Sequence, residues 1–106
     1  MRPRVSIVIP VYNEGASVEP VLERLFESVR LSCEVLVVFD SEEDTTLPVL
    51  SELAKEYPQL KPTLNTYGRG PANAIRFGID QAVAGVVVVT MADGCDDPSQ
   101  IDDLVR

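Results

Sequence analysis

Histidine and tryptophan are absent from this sequence, and cysteine occurs only twice. Without imidazole, proton transfer or metal binding by these residues has to rest on carboxylates. Only 6% of the residues are aromatic, so the core has to be aliphatic. Cys33 and Cys95 show neither a metal-binding spacing nor a secreted disulfide framework, and a reducing, cytoplasmic setting is expected. Positive charge is scarce: 9 Lys and Arg stand against 17 Asp and Glu, a net charge of -8. The basic residues are also scattered, which argues against nucleic acid or an anionic membrane surface as a partner. Long hydrophobic runs are missing too. The longest mostly apolar stretch, Ala82 to Ala92, is too short to cross a bilayer. Met1-Arg2-Pro3-Arg4 leads straight into an apolar strand, so no signal peptide is expected.

What is present is a globular composition: 45% hydrophobic and 25% charged residues in 106, enough for one domain or part of one. Apolar segments alternate between strand and helix patterns. Strands are expected at 5–9, 34–39, 60–65 and 86–90, and helices at 16–31, 45–56 and 71–83, with another starting near Pro98. Val18, Val21, Leu22, Leu25, Phe26 and Val29 recur at helical spacing, opposite Glu19, Glu23, Arg24 and Glu27. Pro58 should stop the second helix, and Pro71 suits the first turn of the third. Ser6–Ile9, Val35–Phe39 and Val86–Val89 are apolar in succession, the pattern of strands covered on both faces. This order predicts an α/β fold, a parallel sheet with helices on both sides.

Ligands of open α/β sheets bind where strands end and helices begin. Three strand ends here carry polar groups: Pro10-Val11-Tyr12-Asn13-Glu14, Asp40-Ser41-Glu42-Glu43-Asp44, and Asp93-Gly94-Cys95-Asp96-Asp97. Asn13, Glu14, Asp40, Asp93, Asp96 and Asp97 would thus share one edge, which suits a divalent cation and a phosphate-bearing ligand. Plainer readings stand beside this one. Asn13 can be a local cap, Glu42, Glu43 and Asp44 a solvated helix start, and Asp97 the cap of the last helix. Gly68-Arg69-Gly70-Pro71 lacks the third glycine of a dinucleotide loop. It reads better as a loop whose backbone, at Gly70, approaches a ligand, with Arg69 or Arg76 facing phosphate; Arg76 can equally be a helix-surface charge.

Together, the order and spacing of four segments resemble the family 2 glycosyltransferases, which have the GT-A fold. They are Val5-Ser6-Ile7-Val8-Ile9-Pro10-Val11-Tyr12-Asn13-Glu14, Val37-Val38-Phe39-Asp40-Ser41-Glu42-Glu43-Asp44-Thr45-Thr46, Ala74-Ile75-Arg76-Phe77-Gly78, and Val87-Val88-Val89-Thr90-Met91-Ala92-Asp93 with Asp97-Pro98. The last segment looks most like the polyprenyl-phosphate sugar transferases. The resemblance implies a Rossmann-like three-layer α/β/α sheet of order 3-2-1-4, and residues 1–106 as the nucleotide-sugar-binding half of a larger domain. It implies that Pro10, Tyr12, Glu14 and Asp40 hold the base and ribose of a nucleotide diphosphate sugar. By the same resemblance Asp93, the last Asp of the family's Asp-x-Asp motif, binds Mg²⁺ or Mn²⁺ and is the catalytic residue of this segment; Asp96, outside that motif, is the carboxylate expected to compensate for its missing first Asp. Met91 stands where the motif's first Asp usually stands, and Phe39 replaces the first of two acids often found at the second strand end.

The activity implied is sugar transfer with inversion, to an acceptor such as a lipid phosphate, at the cytoplasmic face of a membrane. Two other readings remain. One is a non-catalytic nucleotide-binding or interaction module with a degenerate metal site, favoured by Met91. The other is a sugar nucleotidyltransferase, which needs a glycine- and lysine-rich loop after the first strand that this sequence lacks. An apolar Val86–Val89 strand at the edge of the sheet is expected to drive self-association.

Overall fold

The computed structural model describes residues 3–92. Seven main elements follow in order: β1 (Val5–Pro10), α1 (Val18–Ser28), β2 (Cys33–Phe39), α2 (Thr46–Glu56), β3 (Leu60–Leu64), α3 (Pro71–Gln81) and β4 (Val86–Val89). A short 3-10 turn, Gly15–Ser17, leads into α1. The four strands form one parallel sheet of order β3-β2-β1-β4. The expected order and layering are therefore present.

Alternate strand residues reach opposite layers. Val5, Ile7, Ile9, Val35, Val37, Phe39 and Leu60 face α1 and α2, where Val18, Leu22, Leu25, Leu50 and Leu53 complete the larger core. On the other face Val8, Leu36 and Val38 pack with Ala74 and Phe77 of α3. This is why β1 and β2 are apolar at nearly every position. α3 rides close on the sheet because Ala74 and Gly78, four residues apart, present little side chain to it. A Cβ at Gly78 would lie 2.5 Å from Val8 Cγ1.

Some expected boundaries shift. α1 ends at Ser28 rather than near 31, because Val29 turns extended (φ -87, ψ 116) while its N–H still reaches Leu25 O. Its expected first turn is the 3-10 segment. α2 ends at Glu56, and Tyr57 is extended, as the residue before a proline prefers. Tyr57 stacks on Phe26 of α1, with ring centroids 4.3 Å apart. β4 departs from the doubly buried pattern: Val86 and Val89 are 39% and 40% exposed, since among the described residues β4 is the outermost strand, beside β1.

One charge sits inside the N-terminal edge of the sheet. Glu34 is buried, accepts the Ser6 hydroxyl and the Val83 N–H (2.8 Å), and pairs with Lys61 Nζ at 2.8 Å. The Ala84 N–H in turn reaches Ser6 Oγ at 3.1 Å. Burial pushes the Glu34 carboxyl up, but the hydrogen bonds from Lys61, Ser6 and Val83 with the Lys61 charge outweigh it, and the net shift is downward.

Candidate functional site

The site lies at the opposite edge, where the C-terminal ends of the strands meet their loops. β1 stays tied to β2 one residue past its end, through Val11 N–H to Val38 O at 2.9 Å. The chain then turns sharply: Asn13 has φ 48 and Gly15 φ 57, a conformation that Asn tolerates better than most residues and glycine best. Tyr12 N–H donates to Glu14 Oε2 at 2.8 Å, which closes the turn on itself.

The β1 and β2 loops then clasp each other. Asn13 N–H donates to Asp44 Oδ1 and Oδ2, and Thr45 N–H donates back to Asn13 Oδ1 at 3.1 Å. Glu14 N–H reaches Thr46 Oγ1 at 2.9 Å, and Thr46 N–H reaches Asp44 Oδ1 at 2.7 Å. Asp44 is buried. The expectation of a solvated helix start holds for exposed Glu42 and Glu43 and fails for Asp44. Its carboxylate has three backbone N–H contacts to make, one at the start of α2 and two to the crossing Asn13 amide. Asn13 does cap, but it serves the start of α2 rather than its own helix.

Asp40 anchors a third loop. Its Oδ1 accepts Asn65 Nδ2 at 2.8 Å and its Oδ2 accepts the Gly70 N–H at 3.0 Å. The loop between them turns through Gly68 (φ 109) and Gly70 (φ 112), values that a side chain would strain. Tyr67 closes the outside, donating its hydroxyl to Asp80 Oδ2 at 2.6 Å and meeting Phe77 edge-on at 4.9 Å. Donation to Asp80, partial burial and the Asp80 charge raise the Tyr67 phenol, with Arg76 opposing.

These loops enclose a cleft of about 390 Å³ lined by Pro10, Val11, Tyr12, Glu14, Asp40, Arg69, Gly70, Pro71, Ala74 and Met91, a size ordinary for a small-molecule site. An adjoining hollow of about 250 Å³ shares Tyr12, Asp40 and Arg69 and adds Asn13, Ser41, Glu43 and Asp44. The structure thus brings together Pro10, Tyr12, Glu14, Asp40 and Gly70, with Asn13 next door. Arg76 does not join them. It lies two residues past the sheet-facing Ala74, hence about 200° around α3, and is exposed. Arg69 is the arginine of the cleft. Tyr12 is 73% exposed, its ring open over the mouth. Sequence reasoning missed Asp44, Thr46 and Asn65. The Asp-x-Thr spacing before α2 is a capping signal, and Asn65 stands directly after a strand, where crevice residues concentrate.

Asp93, Asp96 and Asp97 lie outside the described residues. Among the described residues there is no group of three or more potential metal-ligating side chains. Glu14 and Asp40 both accept backbone N–H groups, and Met91 brings a soft thioether where a hard cation prefers oxygen. The described part of the cleft does not make a cation site on its own.

Comparison with known proteins agrees with this geometry. At 33% identity the chain matches a dolichol-phosphate mannosyltransferase of Pyrococcus furiosus, over 97% of its own length and 29% of the relative's. At 34% it matches an undecaprenyl-phosphate 4-deoxy-4-formamido-L-arabinose transferase of Pectobacterium carotovorum, over 96% of this chain and 32% of that one. Among solved structures, a mannosyltransferase from Pyrobaculum calidifontis in complex with GDP-Man and Mn²⁺ superposes with a TM-score of 0.74 at 33% identity, covering 88% of this chain and 28% of that one. The chain therefore spans about a third of the length of the relatives it matches. The sequence model described as Glycosyl transferase family 2 matches residues 6–106, and the chain belongs to that family.

Proposed function

We propose that the complete protein transfers a sugar from a nucleotide diphosphate sugar to a polyprenyl phosphate, with inversion. The observation that carries this is the cleft at the strand ends, where Tyr12, Glu14, Asp40, Arg69 and the Gly70 backbone converge on one ligand-sized space. Tyr12 offers a ring face to a base. Glu14 and Asp40 keep unused carboxylate lone pairs for base N–H or ribose O–H groups. Arg69 is the cation suited to the diphosphate. In the transfer, the bond from the sugar's anomeric carbon to the diphosphate oxygen breaks and a bond to an acceptor phosphate oxygen forms on the opposite face. The electron pair leaves with the nucleoside diphosphate. An ionised phosphate acceptor needs no general base. The relatives named for dolichol phosphate and undecaprenyl phosphate support this acceptor class.

Asp93, with Asp96, would hold Mg²⁺ or Mn²⁺ near the diphosphate; the solved mannosyltransferase with GDP-Man and Mn²⁺ supports a divalent ion. Such an ion supplies neutralisation of the leaving group's charge. The reading includes a cytoplasmic location, at the membrane face where a lipid acceptor is reached. It also includes self-association of this 106-residue chain through the apolar β4 edge.

Met91 in the cleft favours a second reading, a nucleotide-binding module without turnover. Titration of GDP-mannose and UDP-N-acetylglucosamine into the complete protein, with and without Mn²⁺, followed by product analysis with a polyprenyl phosphate, separates the two. Metal-dependent binding with turnover supports transfer. Binding without turnover supports the module.

A further inference from the structure

Asn65 lies outside the lining of both hollows, yet its backbone N–H and its whole side-chain amide are engaged, and one of its partners, Asp40, lines both. It follows β3 directly, is 7% exposed, and ties its own N–H to Phe39 O at 2.8 Å. Its side-chain Nδ2 donates to Asp40 Oδ1 at 2.8 Å and to Gly68 O at 2.7 Å, while Oδ1 accepts the Tyr67 N–H at 2.9 Å. Two acceptors on one side and a donor on the other leave one amide orientation that satisfies all three.

The consequence falls on two groups that do line the cleft. Asp40 is only half-buried and would otherwise rotate. Asn65 fixes Oδ1, the Gly70 N–H fixes Oδ2, and the remaining lone pairs keep one direction. Gly68, Arg69 and Gly70 form a loop with two left-handed glycines, whose ordering is entropically costly. Asn65 offsets that cost by holding both the Gly68 carbonyl and the loop's Asp40 anchor. The Asn73 side chain grips the same loop more weakly, donating to Arg69 O at 3.3 Å.

We propose that Asn65 is the positioning residue of the nucleotide cleft, setting affinity for a nucleoside diphosphate by orienting Asp40 and the 68–70 loop without touching the ligand. This deepens, and rests on, the nucleotide-sugar reading. Ordering the binding groups beforehand removes their ordering cost from the binding step. The effect belongs to donor affinity and the donor KM, with kcat little changed.

The test uses the complete protein with GDP and UDP as calorimetric probes, and thermal melting alongside. Asn65→Ala should raise the Kd of the tighter probe by about tenfold or more, the scale of one lost charged hydrogen bond. In steady state the donor KM should rise similarly, with kcat within about threefold and the acceptor KM unchanged. Asn65→Asp keeps the shape but sets a carboxylate oxygen against both Asp40 Oδ1 and the Gly68 carbonyl. Its Kd relative to wild type should be large near pH 8 and smaller near pH 5, as a proton shared between the two carboxylates restores one of the two donors. Asn65→Ala should show no such recovery.

A folded Asn65→Ala protein with wild-type Kd overturns the proposal. So does an Asn65→Asp Kd ratio that is the same at both pH values, or a loss confined to kcat. If Asn65→Ala fails to melt cooperatively and Asn65→Asp binds equally weakly at both pH values, Asn65 is structural only. If the wild type binds neither GDP nor UDP, the functional reading itself falls, and this inference with it.

Discussion

Asn13 donates its backbone N–H to both carboxylate oxygens of Asp44, at 3.1 and 3.0 Å, across 31 residues of sequence. That contact joins the loop after β1 to the loop before α2, and thereby sets where Tyr12 and Glu14 stand in the cleft. Asp44 also holds the Thr46 N–H. Asp44→Ala should lower stability by about 1.5–3 kcal/mol, since buried donors lose a charged acceptor. Asp44→Asn should cost less, because its carbonyl oxygen can still accept. Urea denaturation of the two variants measures the difference, and equal stability of wild type and Asp44→Ala would show that the clasp does not hold the fold.

The Glu34 network predicts a pH dependence. The Glu34 carboxyl is held below its ordinary value of 4.5 in the folded chain, so the ionised form stabilises the fold. That contribution is fully present above the unfolded value and is lost as pH falls through the lower folded one. Glu34→Gln should lower stability at neutral pH, and the gap from wild type should narrow as pH falls below the ordinary carboxylate range. A constant gap over that range would mean that Glu34 acts by shape rather than by charge.

Gly78 predicts a packing effect. A Cβ there meets Val8 Cγ1 at 2.5 Å and Val38 Cγ2 at 3.2 Å, both in the sheet. Valine should push α3 off the sheet and cost about 1–3 kcal/mol, as overpacked cores do. Ala74→Gly, beside it, should be milder, about 1 kcal/mol from helix propensity. Thermal melts of both variants check the order, and a Gly78→Val protein as stable as wild type would contradict the close approach.

Much of this architecture was legible in the residues. β1 and β2 read as buried strands because both faces are covered, so nearly every position is apolar. Asp40 and Glu14 read as candidate site residues because strand ends converge in a parallel sheet, and Tyr12 because of the family resemblance. What could not be read depends on partners distant in sequence. Glu34 is one charge at the start of an apolar strand, and its burial depends on Ser6, Lys61 and Val83. Asp44 looks like its solvated neighbours until Asn13 arrives. Arg76 and Arg69 are equivalent as charges in the sequence. Only the rotation of α3, set by Ala74 and Gly78 on the sheet, turns one away and leaves the other at the cleft.

For the cation, Asp93→Asn in the complete protein should abolish metal-dependent turnover without loss of folding. Asp97→Asn should be mild, because Asn also caps helices well. Activity assays across Mg²⁺ and Mn²⁺ concentrations decide it. An essential Asp97 beside a dispensable Asp93 would contradict the assignment.

The central claim is that the cleft between Tyr12, Asp40 and Arg69 binds the nucleotide of a sugar donor. Calorimetric titration of GDP and UDP into the complete protein, wild type and Asp40→Ala side by side, tests it most directly. The account predicts saturable binding by the wild type, weakened by about 1–3 kcal/mol in a folded Asp40→Ala variant, the range for a lost charged hydrogen bond. Unchanged affinity in that variant, or no binding of either nucleotide by the wild type, would contradict it.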